Sequence, residues 1–450
     1  MQLPLSRLLA KLRREKRRYK DLHTIDHAQH GVQAQVDCGH THRSLWRHPD
    51  FLRLWTGQTI SLFGTQVSVL ALPTIAILTL HADSFSVGVL MSLQWLAFLF
   101  LGPIAGVIVD RLSRRRITIV ADLGRLVAFG SVPVAFALNT RMMFHLYAVA
   151  AIVSIFSVFF DVSYQSYLPA LLDRTALVEG NAKLALGDGV AEIGGPPFAG
   201  LLIQLLGAAT AITADACSYL VSALFLVSIR KQESERASAS QAQVRNAFIE
   251  VREGVEVVFR HPLLRAIAMV NTAQNFGAAV TGTVILIFAY RDLHLSSGLV
   301  GVAMGVGGIG YVLGALLASP AARKLGIGLT LGISSMVGAC SFLIIPLGLF
   351  GMPAVILALW RLLYGLHIPT YDINQVSLRQ AITSDRLRGR MNATIRTFSY
   401  GALGIGSLIG GLLGTQFGVV STILLGGVIY FVGSLLVLTK SMITLKEHPA

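Results

Sequence analysis

Asp188 and Glu192 stand four residues apart in a stretch otherwise made almost wholly of apolar and small residues, a spacing that puts both carboxylates on one face of a helix. Counted by helical rise, Glu192 sits ~14 Å into an apolar layer. Two neighbouring carboxylates in a low dielectric resist carrying two negative charges, so at least one is expected to hold a proton and exchange it near neutrality. The plainer alternative is that each acid satisfies a structural hydrogen bond or pairs with a neighbouring helix. Asp161 and Asp215 also interrupt apolar runs and join the pair as candidates for proton exchange. Asp122 and Arg125, three apart, are spaced to pair along one helix. Arg125 lies ~13 Å deep by the same count, enough to reach a central cavity. Arg361, next to Trp360, is suited to hold an anionic group or a carboxylate across such a cavity. Gln58, Gln66, Trp95, Tyr164, Gln165 and Asn275 add hydrogen-bonding and aromatic surface, although each taken singly serves equally well as packing.

The elements that must position these groups follow from composition. Of 450 residues, 54% are apolar and only 13% charged, and mean hydropathy is +0.65. A soluble domain carries roughly twice that charge fraction. Because a span needs ~20 mostly apolar residues, the long uncharged runs predict about twelve transmembrane helices. They fall near 51–80, 86–109, 117–138, 143–168, 183–206, 208–229, 263–290, 297–320, 327–349, 352–378, 392–415 and 418–440. The alternating ten-residue pattern of a membrane β-barrel is absent from the sequence.

The net charge of +14 lies at helix ends, on one side. With a cytoplasmic start, the inner side collects the basic residues of the first 53, the run Arg114 to Arg116, Arg174, those from Arg230 to Arg265, Arg323, Lys324 and the cluster from Arg379 to Arg396. The outer loops keep only Arg141 and Arg291. This asymmetry places both termini in the cytoplasm and assigns the charge to the membrane surface rather than to nucleic acid. Cys38, Cys217 and Cys340 are too scattered for a disulfide framework or a metal site.

The chain repeats itself. Arg47-His48-Pro49 recurs as Arg260-His261-Pro262, and at a shift of 211 Asn181, Gly195, Gly200, Gly207 and Tyr219 match Asn392, Gly406, Gly411, Gly418 and Tyr430. We therefore expect six-helix bundles over 46–230 and 263–440. A cytoplasmic linker, 231–262, joins them and contains an amphipathic helix from Asn246 to Arg260, with Phe248, Val251, Val255 and Val258 on one stripe. Duplicated halves of this kind hold a substrate between them near the midplane and rock around it. Residues 1–45 form a basic, His-rich tail expected to be disordered; Cys38-Gly-His40-Thr-His42 matches no zinc pattern. A short tail, 441–450, closes the chain.

The loop after the second span reads Gly106-Val-Ile-Val-Asp110-Arg111-Leu-Ser-Arg114-Arg115-Arg116. It resembles the loop signature of the major facilitator superfamily, with Ser113 in place of a glycine. Gly194-Gly195-Pro196-Pro197-Phe-Ala-Gly200 is similar to an element of that family's antiporter branches. Further stretches, Phe160 to Pro169, Asn374 to Gln380 and Arg388 to Thr394, resemble a bacterial group of macrolide, siderophore and drug exporters.

The resemblance implies an all-α membrane protein of two six-helix halves in the bacterial inner membrane. It implies proton-coupled efflux of a small amphipathic or polar molecule, with the proton gradient as energy source and no cofactor. The partners expected are that substrate and membrane lipids, with the chain acting as a monomer and not as an enzyme. Flipping of a lipid-like substrate, or a non-transporting sensor that uses the tail, are the alternatives. Gly305-Val-Gly307-Gly-Ile-Gly310 matches a dinucleotide motif only in letters, since no strand precedes it. No Walker-type phosphate loop occurs in the sequence.

Overall fold

The computed structural model describes residues 45–173, 176–230 and 247–438, but not the side chains of Pro103, Val107, Asp110, Arg111, residues 247–251, Asp385 or Leu438. The basic tail up to residue 44, with its Cys and His, thus lies outside the described residues, as do Arg174, the first part of the linker and the chain after 438. Two units are distinguished, Met1–His48 and Pro49–Ala450. Of the first, Leu45–Arg47 form a 3-10 turn.

The second unit contains, among the described residues, only helices. They are α1 (Pro49–Thr74), α2 (Ser84–Arg111), α3 (Arg114–Ala137), α4 (Met143–Leu171), α5 (Leu177–Leu206) and α6 (Ala208–Ser228), then the linker helix α7 (Ala247–Arg260), and then α8 (Pro262–Ile287), α9 (Ser297–Leu325), α10 (Ile327–Leu343), α11 (Pro353–Ala381), α12 (Asp385–Phe417) and α13 (Val419–Leu435). Eleven of the helical segments are long and apolar enough to cross a bilayer; α13 has 17 residues and runs into a 3-10 turn, Leu436–Leu438. Hydropathy placed the eleventh span at 392, yet α12 begins at Asp385, because helical hydrogen bonding continues past the point where lipid contact ends.

Duplication is visible in the backbone. The first span ends in a π-turn, Ile75–Thr79, followed by His81 in the left-handed region (φ 51°) and an Asp83 cap on α2. The seventh ends in a π-turn, Phe288–Asp292, followed by His294 at φ 51° and a Ser296 cap on α9.

Packing sorts the spans into two groups of six. In the first, α6 lies on α1 and α3, α4 on α2 and α3, and α5 on α1. In the second, α13 lies on α8 and α10, α12 on α8, and α11 on α9 and α10. The groups meet chiefly through α2 with α12 and α5 with α9. Both crossings rest on paired glycines. A Cβ on Gly411 would sit 2.9 Å from the Cα of Gly88, and one on Gly301 would sit 2.8 Å from the Cα of Gly200, so backbone meets backbone as in small-residue helix pairs. Hydrogen bonds fasten the same end: the Thr74 and Tyr290 hydroxyls lie 3.0 Å apart, and Arg291 donates to the carbonyls of Ile77 (3.0 Å) and Ala82 (2.9 Å). The Phe85 amide donates to Thr415, and that of Gly298 to Gln204.

The linker helix α7 docks on the second group rather than lying wholly on lipid. Glu253 pairs with Arg390, Val258 is fully buried, and Phe259 meets the edge of Phe398. The side chains of Phe248 and Val251 lie outside the described set, and Val255 is exposed.

Candidate functional site

Arg125 is the hub of the first-half site. Set on α3, it pairs with Asp122 one turn earlier, and its guanidinium lies between two ring faces, 4.1 Å from the centre of Phe160 on α4 and 4.2 Å from that of Tyr219 on α6. Cation and π-face attract, and more strongly away from water. The charge of Arg125 also acts on Asp161 and Asp215. Arg396 of α12 acts on Asp161 as well, so two guanidiniums answer three carboxylates. Asp215 is fully buried; its Oδ1 accepts from Ser218 at 3.1 Å, and the Ser68 and Tyr219 hydroxyls also act on the carboxyl. Gly64 allows this approach, since a Cβ there would lie 2.6 Å from Asp215 Oδ1.

These groups border a cavity of about 350 Å³ walled by α1, α2, α3, α4 and α6, with Gln58, Trp95, Arg125, Asp161 and Asp215 on its lining. Tyr400 of α12 closes it from the other half: its ring stacks on Trp95 at 5.8 Å and meets Phe98 at 5.3 Å. Of the residues singled out from sequence, Tyr164 stacks on Phe160, Gln165 is exposed, and Trp360 is buried beside Phe342; none of the three borders this cavity.

Asp188 and Glu192 lie elsewhere, where α5 faces α1, α9 and α11. Glu192 accepts from Gln66 Nε2 at 3.2 Å and lies 3.7 Å from the Arg361 guanidinium, an ion pair between the halves. The charge of Asp188 acts on Tyr164, and Asp188, Glu192 and Asp372 all act on Tyr311. Glu192 thus has a cation of its own, whereas the Arg125 cluster has more carboxylates than cations.

A second cavity, of about 540 Å³, opens within the other half between α8, α11, α12 and α13. Asn275, Asp372, Gln375, Arg379, Asn392 and Arg396 are on its lining. At its back, the Tyr430 hydroxyl lies 2.6 Å from His367 Nε2. Hydropathy had placed Arg379 and Arg396 in an inner-surface cluster. Both also line this cavity. The signal for Arg396 was its four-residue spacing to Tyr400, whose hydroxyl accepts from Arg396 Nε at 3.1 Å.

The arginines of the loop between α2 and α3 act on helix ends. Arg114 donates to the Ser166 carbonyl (2.6 Å), and Arg115 to those of Leu226 (2.9 Å) and Val227 (2.5 Å), satisfying carbonyls at the ends of α4 and α6. Arg116 is exposed, and Gly106 has open space where a side chain would be. Ser113 caps α3 by accepting from the Arg116 amide, a task for which glycine has no side chain. The side chains of Asp110 and Arg111 lie outside the described set. In the α5 element, Gly195 receives the Gln66 side chain, while Pro196 and Gly200 form the contact with Gly301.

Solved structures show the same fold. The nucleoside transporter NupG aligns with a TM-score of 0.71 at 14% identity, over 88% of this chain and 99% of its own. A bacterial homologue of the iron transporter ferroportin aligns with a TM-score of 0.65 at 16% identity, over 87% and 100%. By sequence, the multidrug efflux pump Tap of Mycolicibacterium fortuitum is 26% identical across 84% of this chain and 92% of its own. Macrolide efflux protein A of Streptococcus pyogenes is 25% identical, again across 84% and 92%. The MFS-type transporter YfiS of Bacillus subtilis is 24% identical over 59% of this chain, which spans 63% of YfiS. With helices in two groups of six, and with the sequence model of the Major Facilitator Superfamily matching residues 54–371 and 267–449, the chain belongs to the major facilitator superfamily.

Proposed function

We propose that this transporter exports a small amphipathic or polar molecule in exchange for protons, by alternating access, from a bacterial cytoplasm across the inner membrane. The observation that carries the reading is the Arg125 cluster: Asp122, Asp161 and Asp215 are answered by Arg125, with Arg396 acting on Asp161 from the other half, and Arg125, Asp161 and Asp215 line an aromatic-walled cavity. A proton or a cationic substrate group can each cancel its surplus negative charge. Competition between the two is what exchange requires. The fully buried Asp215 carboxyl is the favoured proton acceptor, with Asp161 on the same cavity lining and Asp188 in reserve on α5. The efflux pumps among the relatives support the outward direction.

With both termini cytoplasmic, the end fastened by Arg291, Thr74 and Tyr290 faces outward. Reopening it means parting the Gly88–Gly411 and Gly200–Gly301 contacts, with Glu192–Arg361 as the strut between the halves deeper in. The proton gradient is the energy source, no cofactor takes part, and the monomer suffices.

The test is flux of tetraphenylphosphonium from proteoliposomes under an imposed pH gradient. Gradient-dependent flux that collapses on adding a protonophore is the expected result. Flux that ignores the gradient overturns the exchange reading in favour of a facilitator.

A further inference from the structure

The two cavities are lined by charge of opposite sign. Arg125, Asp161 and Asp215 stand on the first; Asp372, Arg379 and Arg396 stand on the second, where His367 is buried against Tyr430. Asp215 is fully buried and Arg125 is 5% exposed, which leaves the half-buried Asp161 as the accessible charge of the first lining. On the second, Arg396 and Asp372 are exposed and Arg379 is half-buried. Asp372 accepts from Gln375 at 3.3 Å, and the charge of Arg379 acts on it. The accessible cation left over is Arg396.

Asp161 belongs to α4 of the first half and Arg396 to α12 of the second. The charge of Arg396 acts on Asp161, yet neither residue takes part in an ion pair among the described residues. Tyr400 borders both spaces: its hydroxyl accepts from Arg396 Nε at 3.1 Å, and its ring stacks on Trp95 at 5.8 Å. Two opposite charges that attract without touching leave a gap, and the gap selects its guest. A cation answers Asp161 but meets the like charge of Arg396, and an anion answers Arg396 but meets Asp161. A neutral guest parts the two charges and offers nothing in return. A zwitterion replaces one distant attraction by two close, charge-assisted contacts. The rings of Trp95, Phe98 and Tyr400 suit a flat aromatic body between its charged ends.

We propose that the substrate is an aromatic zwitterion, held with its cationic group at Asp161 in the first-half cavity and its anionic group at Arg396 in the second. The inference rests on the transporter reading above and deepens it: the cationic group is the one that competes with the proton, and the anionic group is a handle in the other half.

The experiment is equilibrium binding by the full-length protein in lipid nanodiscs, corrected for binding to empty nanodiscs, with three dyes that share a xanthene body. Tetramethylrhodamine is a zwitterion near neutral pH, its methyl ester is a cation, and fluorescein is an anion. The zwitterion should bind about tenfold tighter than the ester, because the ester makes no charge-assisted contact with Arg396. Fluorescein should bind more weakly than the zwitterion. In Arg396→Gln the zwitterion should fall to within about twofold of the ester, and Arg396→Lys should keep part of the preference. Asp161→Asn should weaken both cation-bearing dyes. Absence of saturable zwitterion binding, equal binding of zwitterion and ester by the wild type, preference for the ester or for fluorescein, or a zwitterion preference that survives Arg396→Gln overturns the proposal. The wild-type comparison stands even if a variant fails to fold. Binding needs no gradient, so flux that ignores the gradient overturns exchange alone, and a flat dye series with intact flux overturns this substrate class alone.

Discussion

Tyr219 and Tyr430 occupy matching positions of the 211-residue repeat, both are buried, and each borders the cavity of its own half. Their neighbours differ. Tyr219 lies under the Arg125 guanidinium and stacks on Phe129 at 6.1 Å; Tyr430 is paired with His367. The first cavity has become aromatic, with two carboxylates and one arginine on its lining, while the second has become a lattice of amides and hydroxyls with one carboxylate, Asp372, and two arginines. Duplication preserved the scaffold, the glycine knuckles and the tyrosine, and left the chemistry free to diverge. At the position matching Asp188 the second half has Ser399, and at that matching Glu192 it has Leu403. The sign of the charge in excess on the lining therefore belongs to each half and not to the fold.

That division can be broken experimentally. Asp215→Asn should reduce gradient-driven flux to the background of empty liposomes while Gln375→Leu leaves the pH dependence of flux intact; equal pH responses in the two variants would end the comparison. Glycine knuckles, by contrast, should behave alike in both halves. Gly200→Leu and Gly411→Leu each drive a side chain into a facing backbone, which a close-packed interface does not absorb. Both should abolish turnover and raise labelling of a reporter cysteine at Leu80 by an impermeant thiol reagent, and a phenotype in only one would show that the crossings are not equivalent.

Smaller effects are expected in stability. Arg125→Lys keeps the charge but not the planar fit between Phe160 and Tyr219, a loss of about 1–2 kcal/mol, read as a lower Tm in detergent and a larger fall than at Arg361 or Arg396, each of which lies over one ring, at 5.7 and 5.1 Å. Smallest is Asp83→Ala, at about 1 kcal/mol for a lost helix cap. The Ser86 backbone and side chain hold the Asp83 carboxyl below its ordinary value of 3.8. A lowered folded-state pKa stabilises at pH above the unfolded value and loses that contribution as pH falls through the folded one. The Tm gap between wild type and variant should thus be constant from pH 7 to about 5 and close below 3.8. Ser296, the matching cap on α9, has no titrating side chain, so Ser296→Ala should show a gap that does not depend on pH.

Much of this architecture was legible in one dimension. Apolar runs exposed the spans because lipid demands them. The repeat exposed Gly200 with Gly411 because close helix crossings tolerate no side chain. The Asp122–Arg125 pair followed from i,i+3 spacing. What stayed hidden needed a second helix to complete it: the rings above and below Arg125 come from α4 and α6, and the partner of Glu192 comes from α11. The second cavity was hidden for another reason. Arg379 and Arg396 look like surface charge when helices are assumed to end where lipid ends, and α11 and α12 run further than that.

Tyr400 belongs to the second half by covalent connection and to the first-half cavity by position. A rocking motion between the halves therefore carries one wall of that cavity away with it. The volume open to a guest is then set by the stage of the cycle rather than by a fixed outline, and a size limit is imposed each time the wall returns. A transporter that moves in this way would select by whether a guest lets it close, admitting varied shapes and excluding bulk.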